Sequence, residues 1–438
     1  MCYENLTLNA FIMLILNQKF KWLALLSGAF LLAGAAFAQD SGPLIDLLVK
    51  KGLINDQEGE ELRADLARDS SAAVVSTISG GKSTNSIALS GRLQLQYAGL
   101  SSDQGPAYVS QFFLRRIYVG FNAGIGSNWT ANFNYDFSGS NFDKAFMEWS
   151  GFWGEAPIAL DFGLRKVNLG YEEYTSSGSL KAIERSPVTR FMVEPNNGRR
   201  LGAASYRMGV FLDGGPVDVR KGKSTGFFYG AAITNPQRTE TILDAAIDGS
   251  KSSGSNAVNK PAYWVNVGYS QVMAVDRKFM IGAAYGQLPD IGGAGNTNYG
   301  KGYDISLYSV YGDATLGRFN LAGEYIHANV DGVLDAGAKA AGPSGYWIQP
   351  SFMATDKLEA VFRYSDVDAD GRGIRTSDGV RSAPAVRTGQ ALKEYYAGFN
   401  YYFVNQDVKL QLGYVNGETS DGATEKVSGI RSQMQVNF

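Results

Sequence analysis

The sequence predicts an all-β fold, a transmembrane antiparallel β-barrel of about sixteen strands over residues 86–438, behind a short helical N-terminal prefix. Three observations predict it. Side chains alternate in character along run after run, the connections between runs alternate in length, and the chain ends on a strand closed by Phe438.

Taken in order, residues 1–38 read as a secretory leader. Lys19 and Lys21 precede the apolar run WLALLSGAFLLAGAAFA, which ends on Ala36-Phe37-Ala38, a small-x-small cleavage site. Met13 is an alternative start, because the residues before it do not resemble the basic end of a leader. Ala35 stands after LLAG where a lipoprotein would carry cysteine, and the sole cysteine, Cys2, leaves with the leader. The mature chain therefore has no disulfide and no thiol chemistry.

Residues 39–69 differ from all that follow: they are charged, leucine-containing and free of aromatic rings. Asn55 and Glu58 have capping-box spacing, and Leu62 with Leu66 gives the next helix one apolar edge. A periplasmic helical hairpin or coiled-coil arm is expected there. Residues 70–85 read as a flexible linker. Its GGKS is not a phosphate loop, because Ser76 occupies the position where that motif needs glycine.

From residue 86 the period becomes two. In NWTANFNYDF, Trp129, Ala131, Phe133, Tyr135 and Phe137 share one face, and Asn128, Thr130, Asn132, Asn134 and Asp136 share the other. Similar runs recur near 86–98, 109–122, 127–138, 141–150, 157–166, 200–211, 226–235, 260–273, 278–288, 301–313, 318–330, 343–354, 357–368, 392–403, 407–417 and 428–438. Odd-numbered connections are mostly long and even-numbered ones, such as AGIG, AVDR and TLG, mostly short. Two depart from the rule: the gap near Gly139 is too short, and segment 212–225 too long. A barrel with turns at one end and loops at the other gives this parity, whereas a soluble sandwich does not. The aromatic face then meets lipid. The last strand agrees, with Ile430, Met434, Val436 and Phe438 opposite Arg431, Gln433, Gln435 and Asn437. It looks like the signal that outer-membrane proteins present to their assembly machinery.

If one face meets lipid, the other lines a wet interior. The alternation sends Arg92, Arg116, Lys144, Arg165, Arg363 and Lys409 inward, beside Asp136, Glu148, Asp161, Glu324 and Glu359. Arg115 then falls near a rim or a subunit contact. The long connection 167–200 carries Lys181, Arg185, Arg190, Arg199 and Arg200. Folded into the barrel it would make a guanidinium-rich constriction suited to phosphate oxygens; left outside it would be a solvated loop. In DVDADG, Asp366, Asp368 and Asp370 match the front of a calcium loop, but Ser377 stands where a bidentate Glu is needed, so an acidic solvated loop is expected.

The residues Arg115-Arg116, Tyr135-Asp136-Phe137, Lys166, Gly170, Glu172-Glu173, Ser176-Ser177, Glu184-Arg185-Ser186 and Arg200-Leu201-Gly202 resemble the motifs of the phosphate-selective porin O and P family. Here Lys166-Val167-Asn168-Leu169-Gly170 stands where that family usually carries Lys-Glu-Pro-Phe-Gly. The resemblance implies a sixteen-stranded barrel, a homotrimer, and a third loop that narrows the pore. It implies that Arg116, Lys166, Lys181 and Arg185 act on phosphate.

With 40 basic and 42 acidic residues, no excess of positive charge points to nucleic acid. Passive diffusion of small solutes, with phosphate or other anions foremost, is the leading expectation. No cofactor motif is present. An outer-membrane hydrolase would need a histidine beside a nucleophile, and the one histidine, His327, has no such motif around it. A plugged structural barrel is the third reading.

Overall fold

The computed structural model describes residues 84–194, 199–216, 220–236, 261–291, 303–331 and 341–438. The expected leader (1–38), the helical prefix (39–69) and the linker as far as residue 83 lie outside the described residues. So do most of the connections expected at 236–259, 289–300 and 331–342.

All sixteen expected strands are present. They are β1 (Thr84–Ser102), β2 (Tyr108–Ile125), β3 (Trp129–Asp136) and β4 (Asn141–Trp153). Next come β5 (Ala156–Lys166), β6 (Tyr206–Gly214), β7 (Gly226–Thr234) and β8 (Ala262–Ala274). Then follow β9 (Arg277–Ile291), β10 (Tyr303–Leu316), β11 (Phe319–Asp331) and β12 (Ser344–Met353). The last are β13 (Leu358–Asp368), β14 (Ala391–Val404), β15 (Val408–Ser420) and β16 (Glu425–Asn437). Each pairs antiparallel with the next, and β16 closes on β1 through registers such as Leu93 with Val436. Closure satisfies every edge, as a sheet in lipid requires.

The outward face is apolar. Phe112 is 72% exposed, and Val265, Ile281, Phe362, Phe399 and Leu412 are exposed at the same face of their strands. Trp129 and Phe133 stand among them, with Phe133 packed on Phe121 and Phe142. His327 lies outside the lumen too, its ring against Tyr308.

Several expectations change at the strand ends. Ser101 still pairs with Tyr108 and Thr419 with Glu425, so two connections expected to be long loops are mostly strand. β6 begins at Tyr206 rather than residue 200, because Leu201 and Ala203 hydrogen-bond back to Phe191 and Met192 within the preceding loop. The two parity exceptions are real: β3 and β4 are joined by four residues, and the stretch after β6 folds against the lumen at the turn-bearing end.

Arg115 is not at a rim. Gln94 pairs with Arg116 and Leu95 with Leu114, so Arg115 is the extra residue of a β-bulge. A bulge breaks the period of two, and both guanidinium groups turn inward. β4 repeats the device: Asn134 pairs with Lys144 and Tyr135 with Phe142, leaving Asp143 as the extra inward residue.

The expectation of a uniformly wet interior also changes. On the loop-bearing half of β6 and β8–β14 the inward residues include Phe211, Trp264, Leu288, Ile305, Leu307, Ile326, Val367 and Leu392. They pack on Leu169, Val188, Phe191, Met192, Val193 and Leu201 of the third loop. Each fully buried side chain there contributes about 1.5–3 kcal/mol relative to exposure. That part of the lumen is thus an apolar core.

Candidate functional site

The third loop, residues 167–205, starts where β5 ends. Gly170 has φ 81°, a left-handed conformation, and a Cβ there would stand 2.6 Å from Glu324 Oε1. Only glycine suits that turn. Glu324 then accepts the backbone N–H groups of Tyr171 and Glu172 at 3.0 and 3.2 Å, which starts the short helix α1 (Tyr171–Tyr174). Glu172 is the loop's central knot. Its Oε2 accepts from Ser186 N, Ser186 Oγ and Thr189 Oγ1 at 2.8, 2.7 and 2.6 Å, while Oε1 accepts from Arg363 at 3.0 Å. Ser186 also caps α2 (Pro187–Val193) by accepting the Thr189 N–H.

The side of the barrel made by β14–β16 and β1 holds the loop by its carbonyls. Lys409 and Gln411 donate to Leu180 O, Asn400 and Gln411 to Lys181 O, and Gln435 to Gly178 O. Gln94–Gln435 and Gln96–Gln433 link the strands behind it.

Most of the basic residues singled out from the sequence are spent inside this scaffold. Arg185, expected on the constriction, pairs with Glu173 at 2.9 Å and donates to three loop carbonyls. Lys166 pairs with the same carboxylate at 3.0 Å, and Lys181 with Glu359 at 2.7 Å. Arg165 is clamped by Asp161 and Asp213. Arg363 bridges Glu172 and Glu394. Arg190 and Arg200 meet Glu194, and Arg199 meets Asp378 on the β13–β14 connection. Arg116 donates to Gln94, and Lys409 is fully buried.

That connection carries α3 (Thr376–Gly379) and is bound to the third loop by charge. Arg381 forks between Glu184 and Glu194 at 2.9 and 2.5 Å, and Arg115 reaches Glu184 from β2 at 2.7 Å. Burial by itself would raise the Glu184 and Glu194 pKa values. Arg115 and Arg381 hold Glu184 well below the carboxylate range, and Arg190 and Arg381 hold Glu194 at about 2. Burial lowers Arg190 to about 9, with Glu194 opposing it. The expected calcium-loop carboxylates are used locally: Asp370 accepts Gly342 N–H at 2.5 Å, and Asp368 accepts Asp370 N–H at 2.8 Å.

Among the described residues, two adjoining open chambers of about 500 and 750 Å³ lie between the third loop and the barrel wall and share Tyr174, Ser176, Arg220 and Lys221. The smaller holds Arg92 and Lys144 near Asp143 and Glu148. Arg92 is steered by Asn437 and Ser177 at 2.8 and 2.7 Å, and the loop passes so closely that a Cβ on Gly178 would stand 2.6 Å from its Nη2. The larger carries Lys181, Arg220, Lys221, Lys223 and Lys278 against one acid, Asp313. Arg220 is paired with Asp213 at 2.8 Å, whereas Lys221, Lys223 and Lys278 have no carboxylate partner among the described residues. Lys221 and Lys223 belong to the overlong β6–β7 connection. Its RKGK run, within the connection that departs from the length rule, was the available signal.

A family model for phosphate-selective porins O and P matches residues 87–438, the whole barrel. The chain belongs to this family. Its curated relatives include Porin O of Pseudomonas aeruginosa, 22% identical with 76% of this chain and 83% of that protein covered. Among solved structures it is similar to an anion-selective porin from Comamonas acidovorans, with TM-score 0.51, 11% identity, and coverage of 80% of this chain and 99% of that one. It is also similar to in-vitro folded OmpT, an outer membrane protein of Vibrio cholerae, with TM-score 0.50, 10% identity, and coverage of 83% and 100%. These likenesses share the fold. The protein is an outer-membrane porin, a channel for small solutes, and the motif residues that carry its family resemblance build the third loop from within.

Proposed function

We propose that this porin passes small anions in preference to cations, and that selection takes place in the chambers at the turn-bearing, periplasmic end. The observation that carries this is the imbalance in the larger chamber, where Lys221, Lys223 and Lys278 have no carboxylate partner among the described residues and Asp313 is the one acid in the lining. Fixed charge of one sign in a low-dielectric passage concentrates counter-ions there. Arg92, Lys144, Lys221, Lys223 and Lys278 act on the solute. Arg116, Arg165, Lys166, Lys181, Arg185, Arg190, Arg199, Arg200, Arg363 and Lys409 act on the protein, by holding the loop and wall that shape the passage. Phosphate is among the solutes, as the family's description suggests.

The working form is a homotrimer delivered by the leader 1–38 and inserted by the assembly machinery through its last strand, with residues 39–69 and the linker 70–85 on the periplasmic side. The four-residue β3–β4 connection and the outward rings of Phe121, Phe133, Tyr135 and Phe142 support a subunit contact at that wall. Planar-bilayer recording in a potassium chloride gradient tests the function. The reversal potential takes the sign of chloride preference, and K221Q/K223Q moves it toward zero. A cation-preferring wild type would refute the proposal.

A further inference from the structure

The two chambers differ in more than charge. In the larger one the cations line the lip nearest the turns, and apolar groups stand deeper. Lys278 and Met280 face inward on β9 two residues apart, with Tyr311 on β10 and Phe228 on β7 beside them. A Cβ on Gly222, in the middle of the lysine-bearing turn, would lie 3.9 Å from Met280 Sδ, so the cationic lip rests directly on the apolar shelf. The third loop roofs it with Tyr171 and Tyr174. Tyr171 is fixed by its hydroxyl to Asp313 and packs on Tyr311 at 5.8 Å, while Tyr174 is 43% exposed to the passage.

We propose that this chamber is a binding site for organic anions with an apolar, preferably aromatic, body, the carboxylate or phosphate head meeting Lys221, Lys223 and Lys278 while the body lies between Tyr174, Phe228, Met280 and Tyr311. The inference rests on the anion reading above and narrows it. Bare phosphate needs donors all round it in a small cage. At about 750 Å³ with its charge on one side, this chamber has the size and polarity of an organic-ligand site. Asp313, the one acid, already accepts from Tyr171 Oη and from Asn320 Nδ2 at 3.0 Å, so its charge is held within the wall. Aromatic faces and a thioether favour flat apolar bodies over hydrated ones.

Three monocarboxylates of equal charge separate the possibilities: acetate, benzoate and gluconate, each titrated against the single-channel current of the full chain. Benzoate is expected to block at a concentration roughly tenfold below acetate, the scale of one buried apolar contact, with gluconate near acetate. Tyr174→Ser should raise the half-blocking concentration of benzoate alone, and K221Q/K223Q should raise it for benzoate and acetate alike. Equal block by benzoate and acetate, or stronger block by gluconate, overturns the proposal. The anion reading is judged separately by the chloride reversal potential: chloride preference with indiscriminate carboxylate block leaves that reading standing and removes only this one.

Discussion

Arg363 shows how charge is used at the scale of one residue. It sits inside the barrel with Glu172 at 3.0 Å and Glu394 at 2.9 Å, and it donates to Glu184 O at 2.8 Å. Such a pair is conditional: it costs little while complete, but removing one partner strands the others. Arg363→Gln should therefore destabilise the folded chain by about 3–5 kcal/mol, read as a lower urea midpoint in detergent, with gating noise as the loop loosens. Gly170→Ala should act through the same loop, because its φ of 81° and the adjacent Glu324 carboxylate leave no room for a methyl group. Lys221 and Lys223 are the opposite case. They are exposed, so neutralising them should leave the midpoint unchanged and alter the current.

At the scale of elements, the loop position depends on the β13–β14 connection. Arg381→Gln removes the fork between Glu184 and Glu194 and should raise the frequency of partial closures. The pH dependence follows from the depressed carboxylates. A folded-state pKa below the unfolded one gives stability that is complete above the ordinary value of 4.5 and is lost as pH falls toward about 2 for Glu194. Open-state current should be steady from pH 7 to pH 5 and become noisy between pH 4 and pH 2, and in R381Q the noise should begin at higher pH. The strands themselves were legible in the sequence, because lipid on one side and polar groups on the other write a period of two into residues such as Trp129 and Phe133. Three features were not. Arg115 reads as a rim or subunit-contact residue, because a bulge adds one residue without changing composition. Trp264, Ile305 and Leu307 face inward against another apolar surface, where a period of two with lipid outside leads one to expect polar groups. The partners of Arg185 and Lys181 are carboxylates far away in sequence or hidden in the same loop, so a count of arginines looked like a filter.

At the scale of the whole molecule, the barrel is oily outside and divided inside. A core of loop 3 packed against β6 and β8–β14 fills part of the lumen, and the anion route proposed above runs beside it, past Arg92, Lys144 and Lys221. The charge of that proposed route rests on inward acids such as Glu172, Glu184 and Glu359 being taken up by the scaffold, while Lys221, Lys223 and Lys278 have no carboxylate partner among the described residues. Because Cys2 is the sole cysteine, the route can be mapped with single cysteines in a Cys2→Ser background. The most direct measurement is the response of the current to an anionic methanethiosulfonate reagent in Lys221→Cys and in Ala182→Cys, the latter at a loop position 1% exposed. Lys221→Cys should show a stepwise, irreversible drop in current and in chloride preference, and Ala182→Cys no response. An unresponsive Lys221→Cys beside a rapidly blocked Ala182→Cys would place the water where the core should be, and would contradict the proposed route.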